Sequence, residues 1–98
     1  MLVIDFLQLI QDLRRQTQFF YQTPTQKWAC GPISVITIKE QPCLVIQMTT
    51  QPRSLQQWEL TVLLNKPDYL NLPVYLQIEQ QLIAVYGFRL TNGEAWIS

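Results

Sequence analysis

The chain has 98 residues, which is the size of a single domain built around one hydrophobic core. Charged residues make up only 14% of it, against about 25% in a typical soluble domain, and fourteen glutamines supply much of the remaining polarity. Seven basic and seven acidic residues give zero formal net charge, which argues against the strong positive field typical of proteins that bind nucleic acid or anionic membranes.

The first apolar segment, residues 2–10, is too short to cross a membrane. It contains Asp5, and its basic residues, Arg14 and Arg15, follow it instead of preceding it. A membrane span needs about 20 apolar residues, and a secretory signal carries its positive charges first. We therefore expect a cytoplasmic protein without a membrane span, in which the cysteines stay reduced.

The same segment begins a predicted amphipathic helix. Its apolar residues recur at spacings of four, three and four, at Leu2, Phe6, Leu9 and Leu13. Placed at 100° intervals, the apolar positions cover an arc of roughly 160°, wider than the ~100° stripe of an ordinary surface helix. Phe19 falls on the polar side, so the helix is expected to end near Thr17 or Gln18.

The next segment, FFYQTPTQKW, has no clean period and carries a turn signal at Pro24, so it is predicted to be a loop. After Pro32 the segments ISVITIK and CLVIQMTT are rich in β-branched residues, with Glu40 and Gln41 between them. They are predicted to be two antiparallel strands with Glu40 and Gln41 at the hairpin tip.

Residues 54–65 fit two structures. Ser54 and Gln57 have the spacing of a capping box, which favours a helix, whereas QWELTVLL alternates between apolar and polar residues, which favours a strand. The strand is favoured, because a helix would place Leu60 and Leu64 away from the apolar face set by Leu55.

The remaining chain is predicted to form strands. VYLQI and LIAVYGFRL flank a turn near EQQ, and Asn92 with Gly93 is a strong turn signal before a short last strand that carries Trp96. The fold class is therefore α+β, a single domain over residues 1–98. It has one N-terminal amphipathic helix packed on a five- or six-stranded, mainly antiparallel sheet built from hairpins.

The central hairpin is apolar on both sides. With its tip at Glu40 and Gln41, facing residue numbers add to 81, and one face holds Ile36, Ile38 and Val45. A sheet with one solvated face alternates between apolar and polar residues, and this hairpin does not. We expect a homodimer joined through Ile36, Ile38 and Val45; the alternative is a curled sheet that closes on itself.

The two cysteines are predicted to lie far apart. In the same register Cys30 and Cys43 are separated by about 26 Å at 3.3 Å per residue, whereas a disulfide needs Cα atoms within about 7 Å. The chain has no histidine and no closely spaced cysteine pair for a zinc site. We expect no cofactor, no metal site and no catalytic constellation, with Cys30, placed in an ACGP loop, as the one candidate for a reactive thiol.

Aromatic and basic residues come close together between the helix and the hairpin. Such residues anchor protein interfaces and also stack on single-stranded nucleic acid. The candidate partner-binding residues are Arg14, Arg15, Phe20, Tyr21, Lys27 and Trp28.

The leading hypothesis is a small non-enzymatic interaction or accessory protein that forms a homodimer or binds another protein. The alternative is a nucleic-acid-binding regulator that uses the aromatic loop from Phe19 to Trp28 with Arg14 and Arg15. A third interpretation is a small-molecule binder or an enzyme without a recognisable motif.

Overall fold

The computed structural model describes residues 1–98 and contains two helices and one seven-stranded sheet. The helices are α1 (Val3–Ile10) and α2 (Gln57–Leu64). The strands are β1 (Phe19–Gln22), β2 (Lys27–Ile38), β3 (Gln41–Thr49), β4 (Val74–Ile78), β5 (Gln81–Ala84), β6 (Phe88–Thr91) and β7 (Glu94–Ile97). Neither helix has the length and apolar character needed to cross a membrane.

The strands lie in the order β5-β4-β3-β2-β1-β7-β6. Two neighbouring pairs, β3 with β4 and β1 with β7, run parallel, and the other pairs run antiparallel. The edge strands β5 and β6 are separated along the chain by residues 85–87 alone, so the sheet must curl until its edges approach each other. In the segment that joins β5 to β6, the N–H groups of Tyr86 and Gly87 donate to the carbonyl of Ser98, which follows β7.

The predicted α+β class, with an N-terminal helix on a sheet, is confirmed. The sheet has seven strands and is mixed, where five or six mainly antiparallel strands were predicted, and a second helix is present. The sheet is curled, as in the alternative expectation from the sequence, but its edge strands β5 and β6 do not pair, so it does not close on itself.

Helix α1 packs against the inner face of the curled sheet. Val3, Phe6 and Ile10 are fully buried, and their spacings of three and four place them on one side of the helix. The helix begins where the carboxylate of Asp5 accepts a hydrogen bond from the N–H of Leu2 at 3.3 Å.

Helix α1 ends at Ile10, earlier than the predicted end near Thr17 or Gln18. The carbonyl of Ile10 accepts a hydrogen bond from the N–H of Leu13 at 3.0 Å and another from the side-chain amide of Gln57 at 3.2 Å. A contact with α2 therefore satisfies this helix end, which the sequence of α1 alone does not reveal.

Residues 19–22 form β1, where a loop was predicted. The strand pairs on both sides, because Phe20 lies opposite Ala29 of β2 and opposite Trp96 of β7. Phe19 and Phe20 are both buried and point to opposite faces, so no alternation of polar and apolar residues marks the strand. The predicted turn at Pro24 is confirmed, since the N–H of Thr23 donates across it to the carbonyl of Gln26.

The β2–β3 hairpin is confirmed, but its tip lies one residue earlier than predicted. Lys39 and Glu40 have φ of 51° and 67°, as a two-residue turn of this kind requires. Ile36 lies opposite Cys43, and facing residue numbers add to 79 instead of 81. Because side chains alternate with a period of two, this shift leaves residues 33–38 on the faces predicted for them, whereas the bulge before Ile33 moves Cys30 to the opposite face.

Residues 57–64 form α2, so the favoured strand prediction for residues 54–65 is wrong. Gln57, Leu60 and Leu64 are buried at spacings of three and four, whereas Trp58 and Val62 are exposed. The alternation that suggested a strand comes from placing Trp58 and Val62 with Leu60 and Leu64, although the helix separates the two pairs.

The start of α2 also differs from the predicted capping box of Ser54 and Gln57. The carboxylate of Glu59 accepts a hydrogen bond from the N–H of Gln56 at 3.0 Å. Ser54 lies before the helix and bonds to two strands instead.

Both helices cover the inner face of the sheet. The hydrophobic core is one cluster of sixteen buried residues: Val3, Phe6, Ile10, Phe19, Cys30, Leu44, Ile46, Met48, Leu60, Leu64, Val74, Leu76, Ile78, Val85, Ala95 and Ile97. Four other buried apolar residues lie outside this cluster, on the outer face: Phe20, Ala29, Cys43 and Val45. The outer face therefore has apolar positions that neither helix covers.

Candidate interaction surface

Strand β2 has two halves with different neighbours. In the proximal half, residues 27–30, β1 pairs with residues 27–29 and β3 pairs with Ala29 and Cys30, so that Ala29 has a neighbour on both sides. The distal half, residues 31–38, pairs with β3 alone. The change occurs at Cys30.

The hydroxyl of Ser54 separates β1 from β2 at this point. Ser54 Oγ accepts a hydrogen bond from the N–H of Cys30 at 2.7 Å and donates to the carbonyl of Phe19 at 2.5 Å. The N–H of Leu55 donates to the carbonyl of Cys30 at 3.1 Å. Ser54 is buried, so two strand-forming backbone groups depend on one enclosed hydroxyl.

A bulge between Cys30 and Ile33 follows immediately. A Cβ atom at Gly31 would lie 2.8 Å from the carbonyl oxygen of Gln47 and 2.8 Å from Cγ2 of Thr49. Only glycine fits this close approach without a shift of the neighbouring backbone, which is a recurrent reason for glycine in strands.

The two cysteines lie on opposite faces of the sheet and are not bridged. Cys30 lies within β2 and not in the predicted loop, and it belongs to the core cluster with Met48 opposite it. Burial raises the pKa of the Cys30 thiol to about 12, although a hydrogen bond with Ser54 acts in the other direction. The thiol therefore stays protonated at neutral pH.

The residues predicted for self-association lie on the outer face of the distal hairpin. Ile36 faces Cys43, and Val45 faces Ser34. Val45 is 0% exposed and Cys43 3% exposed, whereas Ile36 and Ile38 are half-buried. They form an apolar row with Ile36 and Ile38 on its accessible side, and both helices lie on the other side of the sheet.

The distal half of β2 also has an unpaired edge on the side away from β3. No backbone hydrogen bond joins residues 31–38 to any segment except β3. Val35 is 44% exposed at this edge, on the inner side of the sheet. The sequence predicted the strand correctly, but the missing second neighbour follows from where residues 53–57 lie.

The structure divides the six candidate partner-binding residues among three places. Tyr21 and Trp28 lie opposite each other and pack against the core cluster from the inner face. Arg14 and Arg15 are exposed in the turns after α1, and the guanidinium of Arg15 lies 5.9 Å from the ring centre of Trp58. The six residues therefore do not form one continuous stacking platform.

Phe20 and Lys27 come together on the outer face, with two residues that the sequence did not single out. The ammonium of Lys27 lies 3.9 Å from the ring centre of Phe20, 5.1 Å from that of Trp96, and 3.4 Å from a carboxylate oxygen of Glu94. The parallel pairing of β1 with β7 creates this cluster, and no local pattern signals it. The positive charge of Lys27 is thus already paired with Glu94 within the chain.

A polar cleft of about 600 Å³ lies at the open end of the curled sheet. Its wall is mostly hydroxyl and amide side chains: Thr23, Thr25, Gln26, Thr50, Gln80 and Gln81. Trp28 forms part of the wall, and its buried indole N–H has no hydrogen-bond partner. The cleft has few of the apolar groups that supply most binding energy in small-molecule sites. Nowhere do three or more acidic or cysteine side chains cluster as they would around a metal ion.

The comparisons with known proteins do not identify a family for this chain. No protein-family model, no curated protein and no solved structure matches it. The interpretation of the distal hairpin therefore depends on its own contacts, burial and charge.

Proposed function

We propose that this chain is a small non-enzymatic interaction protein that forms a homodimer through the distal half of the β2–β3 hairpin. The observation that carries the proposal is the apolar row of Ile36, Ile38 and Val45 on the outer face, in which Ile36 and Ile38 remain accessible whereas Val45 is already enclosed within the chain. Antiparallel sheets usually place polar residues on a face that contacts water.

The charge distribution supports the same surface. The distal half of β2 contains no charged residue from Gly31 to Ile38, and the next charges along the chain are at the tip, on Lys39 and Glu40. Depletion of charge distinguishes the cores of protein interfaces from the rest of a surface better than hydrophobicity does. A surface without charge next to a charged rim is thus typical of an interface.

The test is the mass of the protein in solution, measured by size exclusion with light scattering at micromolar concentrations. The expected mass is twice the 11.5 kDa of one chain. The double variant Ile36→Lys and Ile38→Lys is expected to weaken the dimer by at least about tenfold, because it places like charges across a symmetric contact.

Leu90→Lys is the matched control. Leu90 is an exposed apolar residue on β6, away from the hairpin, so the same chemical change there should leave the dimer intact. A wild-type protein that stays at 11.5 kDa up to 100 micromolar would remove the proposal.

A further inference from the structure

Resting on the proposed function, we infer that the joint of the homodimer is the unpaired edge of β2. The distal halves of two copies pair as antiparallel strands about a two-fold axis at Val35, and the two curled sheets become one continuous sheet. The partner is a second copy of this chain, bound by main-chain hydrogen bonds.

The backbone groups at this edge point away from the chain. Leu44, which lies opposite Val35, donates its N–H to the carbonyl of Pro73 on the β4 side at 2.8 Å. Val35 and Leu44 are therefore a pair without mutual hydrogen bonds, and alternate residues share this geometry. The N–H and C=O groups of Ile33, Val35 and Thr37 then point to the open edge.

Those three residues set the register. Pairing Val35 with Val35 of the second copy also pairs Ile33 with Thr37 and Thr37 with Ile33. This register uses all three outward residues of both strands, whereas a slip of one hydrogen-bonded pair leaves an outward residue of each strand unmatched. Strand pairing of this kind supplies affinity through the main chain.

The antiparallel register brings the hairpin tip of each copy to the end of the other copy's open edge. At one end the edge stops where Ser54 and Leu55 bond to Cys30, and at the other end it stops at the hairpin tip. In the antiparallel register the tip of the second copy comes opposite Gly31, beside the place where Ser54 and Leu55 close the edge. A parallel copy would not have this symmetry.

Charges at the two ends of the edge are complementary. Arg53 and Glu59 line the cleft beside Gly31, where they lie 3.8 Å apart. The tip that arrives there carries Lys39 and Glu40. Each end of the joint therefore brings a Lys–Glu tip beside an Arg–Glu pair, where ion pairs between the two copies can form.

Apolar side chains beside the edge would be buried by the same contact. Val35 is 44% exposed on the inner side of the sheet, and the two copies of it meet at the two-fold axis. Leu63 of α2 lines the cleft with Pro32, beside the beginning of the open edge. Side chains of α2 thus extend the contact beyond the strand itself.

The edge lacks the features that keep edge strands from pairing. Natural edge strands are protected by charged side chains, by a covering element, or by short length. The stretch ISVITI has none of these, and Pro32 with its bulge protects only the beginning. Such a segment is expected to pair with another strand.

Amide hydrogen exchange, measured by NMR above and below the concentration at which the dimer forms, tests the joint. In the dimer the N–H groups of Ile33, Val35 and Thr37 should exchange at least about tenfold more slowly than in the monomer. Those of Ser34 and Ile36 should be protected equally in both, because they bond to β3 within the chain.

A dimer in which the amides of Ile33, Val35 and Thr37 still exchange rapidly would overturn the edge joint and leave the proposed function standing, as a face-to-face dimer. A protein that is monomeric throughout would overturn both. These two failures are therefore distinguishable in one experiment.

Val35→Pro gives a second test. The substitution removes an N–H that points to the open edge and leaves the bonds to β3 in place, so the variant should be a folded monomer. Val35→Thr keeps the N–H and the shape, and should remain a dimer. A folded, dimeric Val35→Pro protein would contradict the inference; if this variant does not fold by circular dichroism, the exchange measurement on the wild type decides.

The charges at the ends give a register-specific readout. Arg53→Glu should weaken the dimer about fivefold, and combining it with Glu40→Arg should restore most of the affinity. A restoring effect requires that the tip of one copy reach the cleft of the other, and its absence would reject the register centred on Val35.

Discussion

The proximal and distal halves of β2 belong to one strand, yet one is enclosed and the other is open. In residues 27–30, β1 pairs with residues 27–29 and β3 pairs with Ala29 and Cys30, whereas residues 31–38 have β3 on one side only. The distal half has the stronger strand signal in the sequence, since it contains four β-branched apolar residues and a threonine within seven positions. Strand propensity therefore does not indicate how many neighbours a strand has.

The difference arises at Cys30, where a residue from a distant part of the chain ends the pairing with β1. Ser54 bonds to both Cys30 and Phe19, and residues before Phe19 turn to the start of α2, where the N–H of Gln57 donates to the carbonyl of Thr17. The pairing of β2 with β1 ends at this junction, and the open edge of β2 begins there. Variants at the junction should therefore separate the two halves.

Ser54→Ala should have the largest effect on stability. It leaves the buried N–H of Cys30 and the buried carbonyl of Phe19 without a partner, at about 1–3 kcal/mol each. We expect a loss of about 2–4 kcal/mol in the free energy of unfolding, measured with urea below the concentration of dimer formation. Ser34→Ala, an exposed serine on the distal half, should change it by no more than about 0.5 kcal/mol. Equal effects of the two variants would refute the role given to the Ser54 hydroxyl.

Gly31→Ala should have the next largest effect, because its Cβ would press on the carbonyl oxygen of Gln47 and on Thr49. The expected loss is about 1–3 kcal/mol, measured as a shift of the thermal or urea midpoint. Gly87→Ala is the control, since no atom lies within 4 Å of its Cβ position, and it should be close to neutral. A neutral Gly31→Ala variant would show that the bulge can move without cost.

The thiol of Cys30 should affect the pH dependence of stability only in alkali. The free energies of unfolding of the wild type and of Cys30→Ala should therefore keep a constant difference near neutral pH and diverge as the pH rises. Its pKa in the folded protein, about 12, lies above the ordinary cysteine value of 9.0, so the unfolded chain loses the proton first. The contribution to stability is complete below pH 9 and is lost as the pH rises towards 12. Between these limits the wild type should lose about 1 kcal/mol per pH unit more than Cys30→Ala in urea titrations. Parallel pH profiles of the two proteins would contradict the enclosed, protonated thiol.

The parts of the fold that were predictable are those set by near neighbours in the chain. The faces of the β2–β3 hairpin, the turn at Asn92 and Gly93, and the start of α1 all follow from spacing and turn chemistry. Asn92 and Gly93 both have positive φ and join β6 to β7. For the candidate surface, the sequence correctly placed Ile36, Ile38 and Val45 on one face.

The parts that were missed depend on residues far away in the chain. α2 is apolar on several sides, so its pattern fits a strand as well as a helix until Leu60 and Leu64 have a core to enter. β1 has no alternation because the tertiary fold buries both of its faces. Two parallel pairings and the curl of the sheet have no local signal at all.

By itself, the sequence determined an α+β class with little charge, a hairpin that is apolar on both faces, and cysteines that do not pair. These properties follow from composition and from the two-residue period of strands. Only the tertiary structure decided that the sheet curls, that both helices cover its inner face, and that β2 keeps an open edge from Gly31 to Ile38. The physical reason is that a strand has an open edge wherever a neighbouring strand is missing. The pairing of β2 with β1 ends at Cys30 because Ser54, 24 residues further along the chain, takes the hydrogen bond of its N–H group.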